Sequence, residues 1–349
     1  MQQKQIGNTQ GSPRVVSWKR FSRVDQARAG VAEYIDRLRA TSLLSGGGRK
    51  SAGDQDHPTE VLSFLPQAAD GFPIILIGGM GPLAGAVGFD IACEYFGTRR
   101  EIVLYQACSI PSRMTAMVKP NRVTHGLPIQ RFLIEGVSEA IVQAKEYLQS
   151  KSANITIVLM CNAVHYYLPL VKADLEKRYP KVASDLQYVS LVSAVMVEME
   201  KRKLKKPLLL GTSATKMGRV YTNPLEKQGI KCKELSEAEQ EILMSAIYQG
   251  VKAFDQEYAV RKVEELFHLL SYKYGNTVQT DVDCMIACCT EVPILLDWLQ
   301  EKSQNQRLQD WLTQLKIINP VTSALQWIGY QNQWEKEWES NFASLACPK

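Results

Sequence analysis

Two periodicities alternate along this chain. Short apolar runs rich in β-branched residues, at 73–77, 101–108, 155–160, 186–192, 207–210, 230–235 and 282–286, read as strands, the longer ones buried on both faces. Between them apolar residues recur every three or four positions, predicting helices from Leu83, over 129–148, from Val164 to about Lys181, over 193–202 and from Val292. Residues 236–274 read as one broken helix or two consecutive ones, with His268 on the packed face, and 303–314 as an extra polar helix. A short strand at 315–320 and a Trp-rich helix over 321–342 complete the pattern, with Trp327, Trp334 and Trp338 at helical spacing as packing residues.

Strand–helix alternation of this kind argues an α/β fold. A strand that ends in cysteine occurs twice, so the expected architecture is two similar lobes. Each is a mainly parallel sheet flanked by helices, and the active site lies in the cleft between them. On this reading residues 70–190 plus 316–349 form the first lobe and 191–315 the second. Residues 1–69 form an N-terminal extension. Its first 20 residues are polar and expected to be disordered. Val24, Ala27, Val31, Ile35 and Leu38 then mark one amphipathic helix, and a glycine-rich linker at 45–58 carries a solvated His57. The helix could pack on the body, dimerise or meet an anionic surface, and packing is the favoured reading.

Composition narrows the function. Of the formal charge of +5 over 349 residues, +4 sits in residues 1–69, where ten Lys/Arg face six acids. The body is nearly neutral, so its expected partners include no nucleic acid. No apolar run is long enough to span a bilayer and the N-terminus shows no signal-peptide core, so neither a membrane nor export is expected. The eight cysteines, at 93, 108, 161, 232, 284, 288, 289 and 347, form neither a compact disulfide framework nor a CxxC pair suited to zinc. No metal is expected, and a reducing cytoplasm fits best.

The chemistry-bearing residues cluster just beyond the strands, where ligands bind in open α/β sheets. The run 155–160 breaks off at Cys161, with Asn162 next and His165 four residues after the cysteine. A helix starting there would place free N–H groups and the helix dipole beside the sulfur. The arrangement returns 128 residues later at Cys289, followed by Thr290 and Glu291 and preceded by Cys288. Gly78, Gly79, Met80, Gly81 and Pro82 form a glycine-rich strand–helix turn that is neither a GxGxxG nor a P-loop pattern. Arg113 follows the next strand, where a guanidinium can hold a carboxylate in two-point fashion. The turn 211–215, with Thr212, Ser213 and Thr215, either hydrogen-bonds a polar ligand or caps a helix.

Taken together, these turns resemble motifs of the aspartate/glutamate racemase family over residues 73 to 340. Gly78–Gly79–Met80–Gly81–Pro82 matches its GGMGP, Ile110–Pro111–Ser112–Arg113 is similar to its IPDR, and Cys161–Asn162–Ala163–Val164–His165 is similar to its CNTAH. Residues 209–221 resemble its LLATxGT…Y stretch, and Cys289–Thr290–Glu291 matches its GCTE, with Cys288 in place of the Gly. The chain departs from the pattern at Ala163, Cys288, Ser112 and Gly85.

The resemblance implies a racemase of an acidic amino acid, aspartate favoured over glutamate. It would work without pyridoxal phosphate or any other cofactor, through two catalytic cysteines, Cys161 and Cys289. One thiolate takes the α-proton while the opposite thiol returns one. Gly79, Met80, Gly81, Arg113, Asn162, Thr212, Thr290 and Glu291 are then the expected substrate-binding residues, with Glu291 and His165 tuning the thiols. A homodimer is a further expectation. The alternatives are a single-cysteine isomerase or decarboxylase of the same fold, or a catalytically weak binding homologue.

Overall fold

The computed structural model describes residues 15–44, 58–274 and 281–329. Its strands in chain order are β1 (Val15–Phe21), β2 (Thr59–Phe64), β3 (Ile74–Gly78), β4 (Ile102–Gln106), β5 (Val123–Thr124), β6 (Leu127–Pro128), β7 (Ile155–Leu159), β8 (Leu186–Tyr188), β9 (Pro207–Leu209), β10 (Lys233–Glu234), β11 (Cys284–Ile286) and β12 (Ile317–Ile318). Six of them form one sheet in the order β1-β2-β4-β3-β7-β8, four form a second in the order β10-β9-β11-β12, and β5 and β6 make a hairpin. Pairing is parallel except in the hairpin and where β2 meets β4. The fold is thus mixed α/β with mainly parallel sheets flanked by helices.

Alternate residues of the central strands enter different cores, which is why their sequences read as unbroken apolar runs. Ile75, Ile77, Val103, Tyr105, Ile157 and Leu159 pack with Leu133, Val137 and Ile141 of the helix Ile129–Lys145. On the other face, Leu62, Leu76, Leu104 and Val158 meet α1 (Val24–Leu44) through Val31, Tyr34 and Leu38, and α2 (Pro82–Phe96) through Phe89. Burying Val31 and Leu38 contributes about 1.5–3 kcal/mol each. The expected packing of the amphipathic helix is therefore what the structure has. No helix of the described residues is long and apolar enough to cross a membrane.

Several expectations need correction. Residues 15–20 lie in β1, so disorder does not extend through residue 20. Residues 59–64, assigned no strand from sequence, form the wholly buried β2 between β1 and β4. Glu60 is buried in it and paired with Arg37 of α1 at 2.7 Å. Residues 15–64 therefore supply two strands and a covering helix to the first sheet. Near the other end, β12 joins the second sheet while Val321, Leu325 and Ile328 of the helical stretch 320–329 pack on the first. His268 is exposed; the packed face of its helix is Val263, Leu266, Phe267 and Leu270. The run at 186–192 is a strand only to Tyr188, because Ser190 caps a helix, Leu191–Lys201. Residues 1–14, the linker with His57, Trp334, Trp338 and Cys347 lie outside the described residues.

Candidate active site

Both cysteine turns open onto one cavity, from different sheets. Cys161 follows β7 of the six-stranded sheet and Cys289 follows β11 of the four-stranded one. The two sulfur-bearing residues line the cavity with Met80, Arg113, Met114, Asn162, Ala163, Thr212, Thr290, Glu291 and Lys252 among others. The cavity is small, about 20 Å3.

The Cys161 turn is held by backbone contacts. Cys161 is extended, at φ −156°, and caps a six-residue 3-10 helix, Asn162–Tyr167, before the α-helix Leu168–Arg178 begins. The cysteine thus stands between a strand and a helix, as expected, with the tighter 3-10 turn preceding the α-helix. His165 does not tune the thiol by charge. Its Nε2 accepts the Leu191 N–H at 3.1 Å, so its proton sits on Nδ1, which donates to the Cys161 carbonyl at 2.9 Å. Burial pushes its pKa down to about 4, against the opposing pull of the Cys161 and Asn162 backbone. A neutral imidazole thus ties the turn to the start of the helix Leu191–Lys201.

The Cys289 turn carries its own charge. Its thiol donates to Glu291 Oε2 at 2.8 Å, and the Thr290 hydroxyl donates to the same oxygen at 3.2 Å. Burial, reinforced by the Glu291 charge, raises the thiol well above its ordinary value. Glu291 Oε1 lies 3.5 Å from Lys252 Nζ, both side chains being 5% exposed. Burial opposes the carboxylate, but Lys252, the Cys289 S–H and Arg113 together keep it below its ordinary range. Lys252 likewise stays charged: burial opposes its ammonium, but Glu291, Tyr248 and Cys289 together hold its pKa above the ordinary value.

The remaining expected residues divide between lining and bracing. Arg113 is buried: Nη2 donates to the Met80 carbonyl at 2.9 Å, Nη1 to Pro111 at 3.4 Å, and Nε has no partner. Asn162 is 2% exposed, with Oδ1 taken by the Tyr221 hydroxyl and Nδ2 unpartnered. Thr212 both lines the cavity and caps the helix Ser213–Met217, accepting the Thr215 N–H at 3.4 Å. Gly79 and Gly81 stand behind Met80. At φ +91° Gly79 lies against the Ala107 backbone, where a Cβ would come within 2.4 Å, and a Cβ on Gly81 would meet Glu291 Oε1 at 2.2 Å. These glycines let the turn close down on the site.

Lys252 and Tyr248 escaped sequence reasoning. They sit where the helix Glu237–Ser245 gives way to a π-helical turn, Ala246–Gly250, and a 3-10 turn, Val251–Ala253, that ends at Phe254 with φ +59°. Such interruptions often re-aim side chains at functional sites. Lys252 Nζ lies 4.6 Å from the centre of the Tyr248 ring. The available signal was the break itself, with a lysine inside it. Two cations and one carboxylate therefore face the cavity with two unpartnered donors, an arrangement complementary to a carboxylate-bearing ligand. Among the described residues no group of three His, Cys, Asp or Glu is placed to hold a metal.

No protein-family model matches the chain. An aspartate racemase from Picrophilus torridus aligns with a TM-score of 0.52 at 19% identity, covering 74% of this chain and 95% of that one. An aspartate racemase homologue from Pyrococcus horikoshii aligns at 0.48, again with 19% identity, over 73% of this chain and 96% of that one. A glutamate racemase from Francisella tularensis aligns at 0.42 with 16% identity, over 76% and 82%.

Proposed function

We propose that this chain, which shares the fold of the Picrophilus aspartate racemase, is a cofactor-independent racemase of an acidic amino acid, with aspartate preferred to glutamate. The observation that carries the reading is that thiols from two sheets line one buried cavity beside Arg113 and Lys252. Cys289 holds its proton against Glu291 and is ready to deliver it. Cys161, which lines the same cavity as Arg113, removes the α-proton in one direction, and the roles exchange in the reverse one. No redox change or group transfer is involved: one C–H bond breaks, another forms on the opposite face.

The α-proton is very weakly acidic, so the charge that develops on the substrate carboxylate must be met by fixed donors. Arg113 Nε, Asn162 Nδ2 and the Lys252 ammonium are the candidates. The residues lining the cavity are largely buried, and closing them around the substrate excludes water. Such confinement favours the shorter acidic side chain.

Chiral chromatography of L- and D-aspartate and of L- and D-glutamate incubated with the protein tests the proposal. The expected result is interconversion without added pyridoxal phosphate, faster for aspartate. Enantiomers that remain pure for both amino acids would overturn it. Ala163 leaves the cavity one hydroxyl short of the CNTAH pattern, which is the observation behind a second reading. In that reading one cysteine serves as sole proton donor in a decarboxylase or isomerase, and release of carbon dioxide from an α-carboxyl substrate would mark it.

A further inference from the structure

Tyr221 stands behind the cavity wall rather than in it. It is 1% exposed, and its hydroxyl donates a hydrogen bond to Oδ1 of Asn162, which is also buried. The two residues come from different parts of the fold. Asn162 follows β7 of the first sheet and Tyr221 lies beyond β9 of the second, between the helices Ser213–Met217 and Thr222–Lys227. The contact therefore exists only while those parts are together.

An asparagine amide can present either its oxygen or its NH2 to a neighbour. Here Oδ1 meets the Tyr221 hydroxyl, leaving Nδ2 buried, unpartnered and on a residue that lines the cavity. Turned the other way, the amide would give Tyr221 an N–H. The phenolic hydrogen would then lose its acceptor, and a second acceptor would replace a donor in the cavity. Burial, with the neighbouring Cys288 and Cys289, pushes the Tyr221 phenol well up, so it keeps the proton it donates. Arg113 Nε is the other unpartnered buried donor at the same cavity.

We propose that Tyr221 is a positioning residue: its hydroxyl fixes the Asn162 amide so that the NH2 faces the cavity and receives a carboxylate oxygen of the ligand. The inference rests on the acidic-ligand reading and adds to it what sets the donor's direction. Tyr221 touches no substrate; it acts through Asn162.

The test is a binding titration with succinate, a dicarboxylate that has no α-hydrogen chemistry to undergo here, followed on 15N-labelled protein. The Asn162 NH2 resonance is identified by its loss in Asn162→Asp. Succinate is expected to shift it. Tyr221→Phe should weaken succinate binding about tenfold in the intact background and less than twofold in Asn162→Ala, because the pair acts as one unit. A Tyr221→Phe penalty of the same size in both backgrounds, an NH2 resonance that succinate leaves in place, or no succinate binding at all would overturn the proposal.

If Tyr221→Phe lowers the melting temperature, Asn162→Asp carries the test. It keeps the Tyr221 contact, replaces the inward NH2 by oxygen, and should lose binding by about a hundredfold; undiminished binding would count against the proposal. Succinate binding with the predicted pattern but no racemisation would sink the racemase reading alone. Racemisation of aspartate with kcat and KM unchanged in Tyr221→Phe would sink this one alone.

Discussion

The two cysteine turns look alike in sequence and differ in what surrounds the sulfur. Cys161 sits on a turn fixed by backbone hydrogen bonds and a neutral histidine. Cys289 sits two residues from a buried carboxylate to which it donates its proton, and that carboxylate leans on Lys252. A strand ending in cysteine therefore specifies where a thiol stands, not which form it takes. That depends on its partners, and Cys289 has a buried carboxylate two residues on, itself paired with Lys252. An asymmetric pair suits a reaction that needs one base and one acid at the same moment.

The comparison breaks first at the thiols. Cys161→Ala and Cys289→Ala should each reduce racemisation by roughly a thousandfold or more, since each removes one of two obligatory proton carriers. Chiral assay checks this, and a variant retaining a tenth of the activity would show that its thiol is dispensable. Lys252→Met should follow. It leaves Glu291 buried without its cation, and breaking such a pair costs roughly 3–5 kcal/mol. Urea unfolding at neutral pH reads that cost, and an unchanged midpoint would mean that the 3.5 Å pair is not coupled.

Glu291→Gln sharpens the contrast rather than abolishing it. It removes the charge that, after burial, holds the Cys289 thiol up. The thiol pKa should fall, so alkylation by iodoacetamide at Cys289 should begin at lower pH. The alkaline limb of the kcat profile should move the same way, since loss of the proton disables the acid. An alkylation profile that stays in place would separate Glu291 from the thiol.

His165 gives the smallest effect, on stability. Its folded pKa of about 4 lies below the ordinary 6.5, so the unfolded chain binds the proton first as pH falls. Its contribution is therefore fully present above about pH 6.5 and drains away toward pH 4, by up to about 3 kcal/mol. His165→Gln should flatten this part of the stability profile, and an identical slope in both proteins would place the titration elsewhere.

How much of this was legible follows from how local each cause is. The strands β3, β4, β7 and β11 announced themselves because residues buried on both faces need an unbroken apolar run. The turns after them carried recognisable residue types. β1 and β2 stayed hidden because Lys19, Arg20, Thr59 and Glu60 look like surface. Only the Arg37–Glu60 pair, made across 23 residues, lets Glu60 be buried. Lys252 was hidden for a similar reason, since its role depends on a helix irregularity and on a carboxylate 39 positions away. Cys288 entered as added bulk next to the second thiol. The structure accommodates it against Gly211, where a Cβ would approach its own to 2.9 Å. The fate of His165 could not be read from spacing, because its Nε2 partner is the Leu191 backbone, 26 residues on.

Racemisation of L-aspartate in deuterium oxide, stopped within the first few per cent of conversion, tests the pairing of the two sulfur atoms most directly. If they serve opposite faces, the D-aspartate formed carries deuterium at the α-carbon from the outset, while the unreacted L-aspartate still carries protium. D-aspartate that retains the original α-proton would mean that a single group removes and returns it, and the two-thiol account would be wrong.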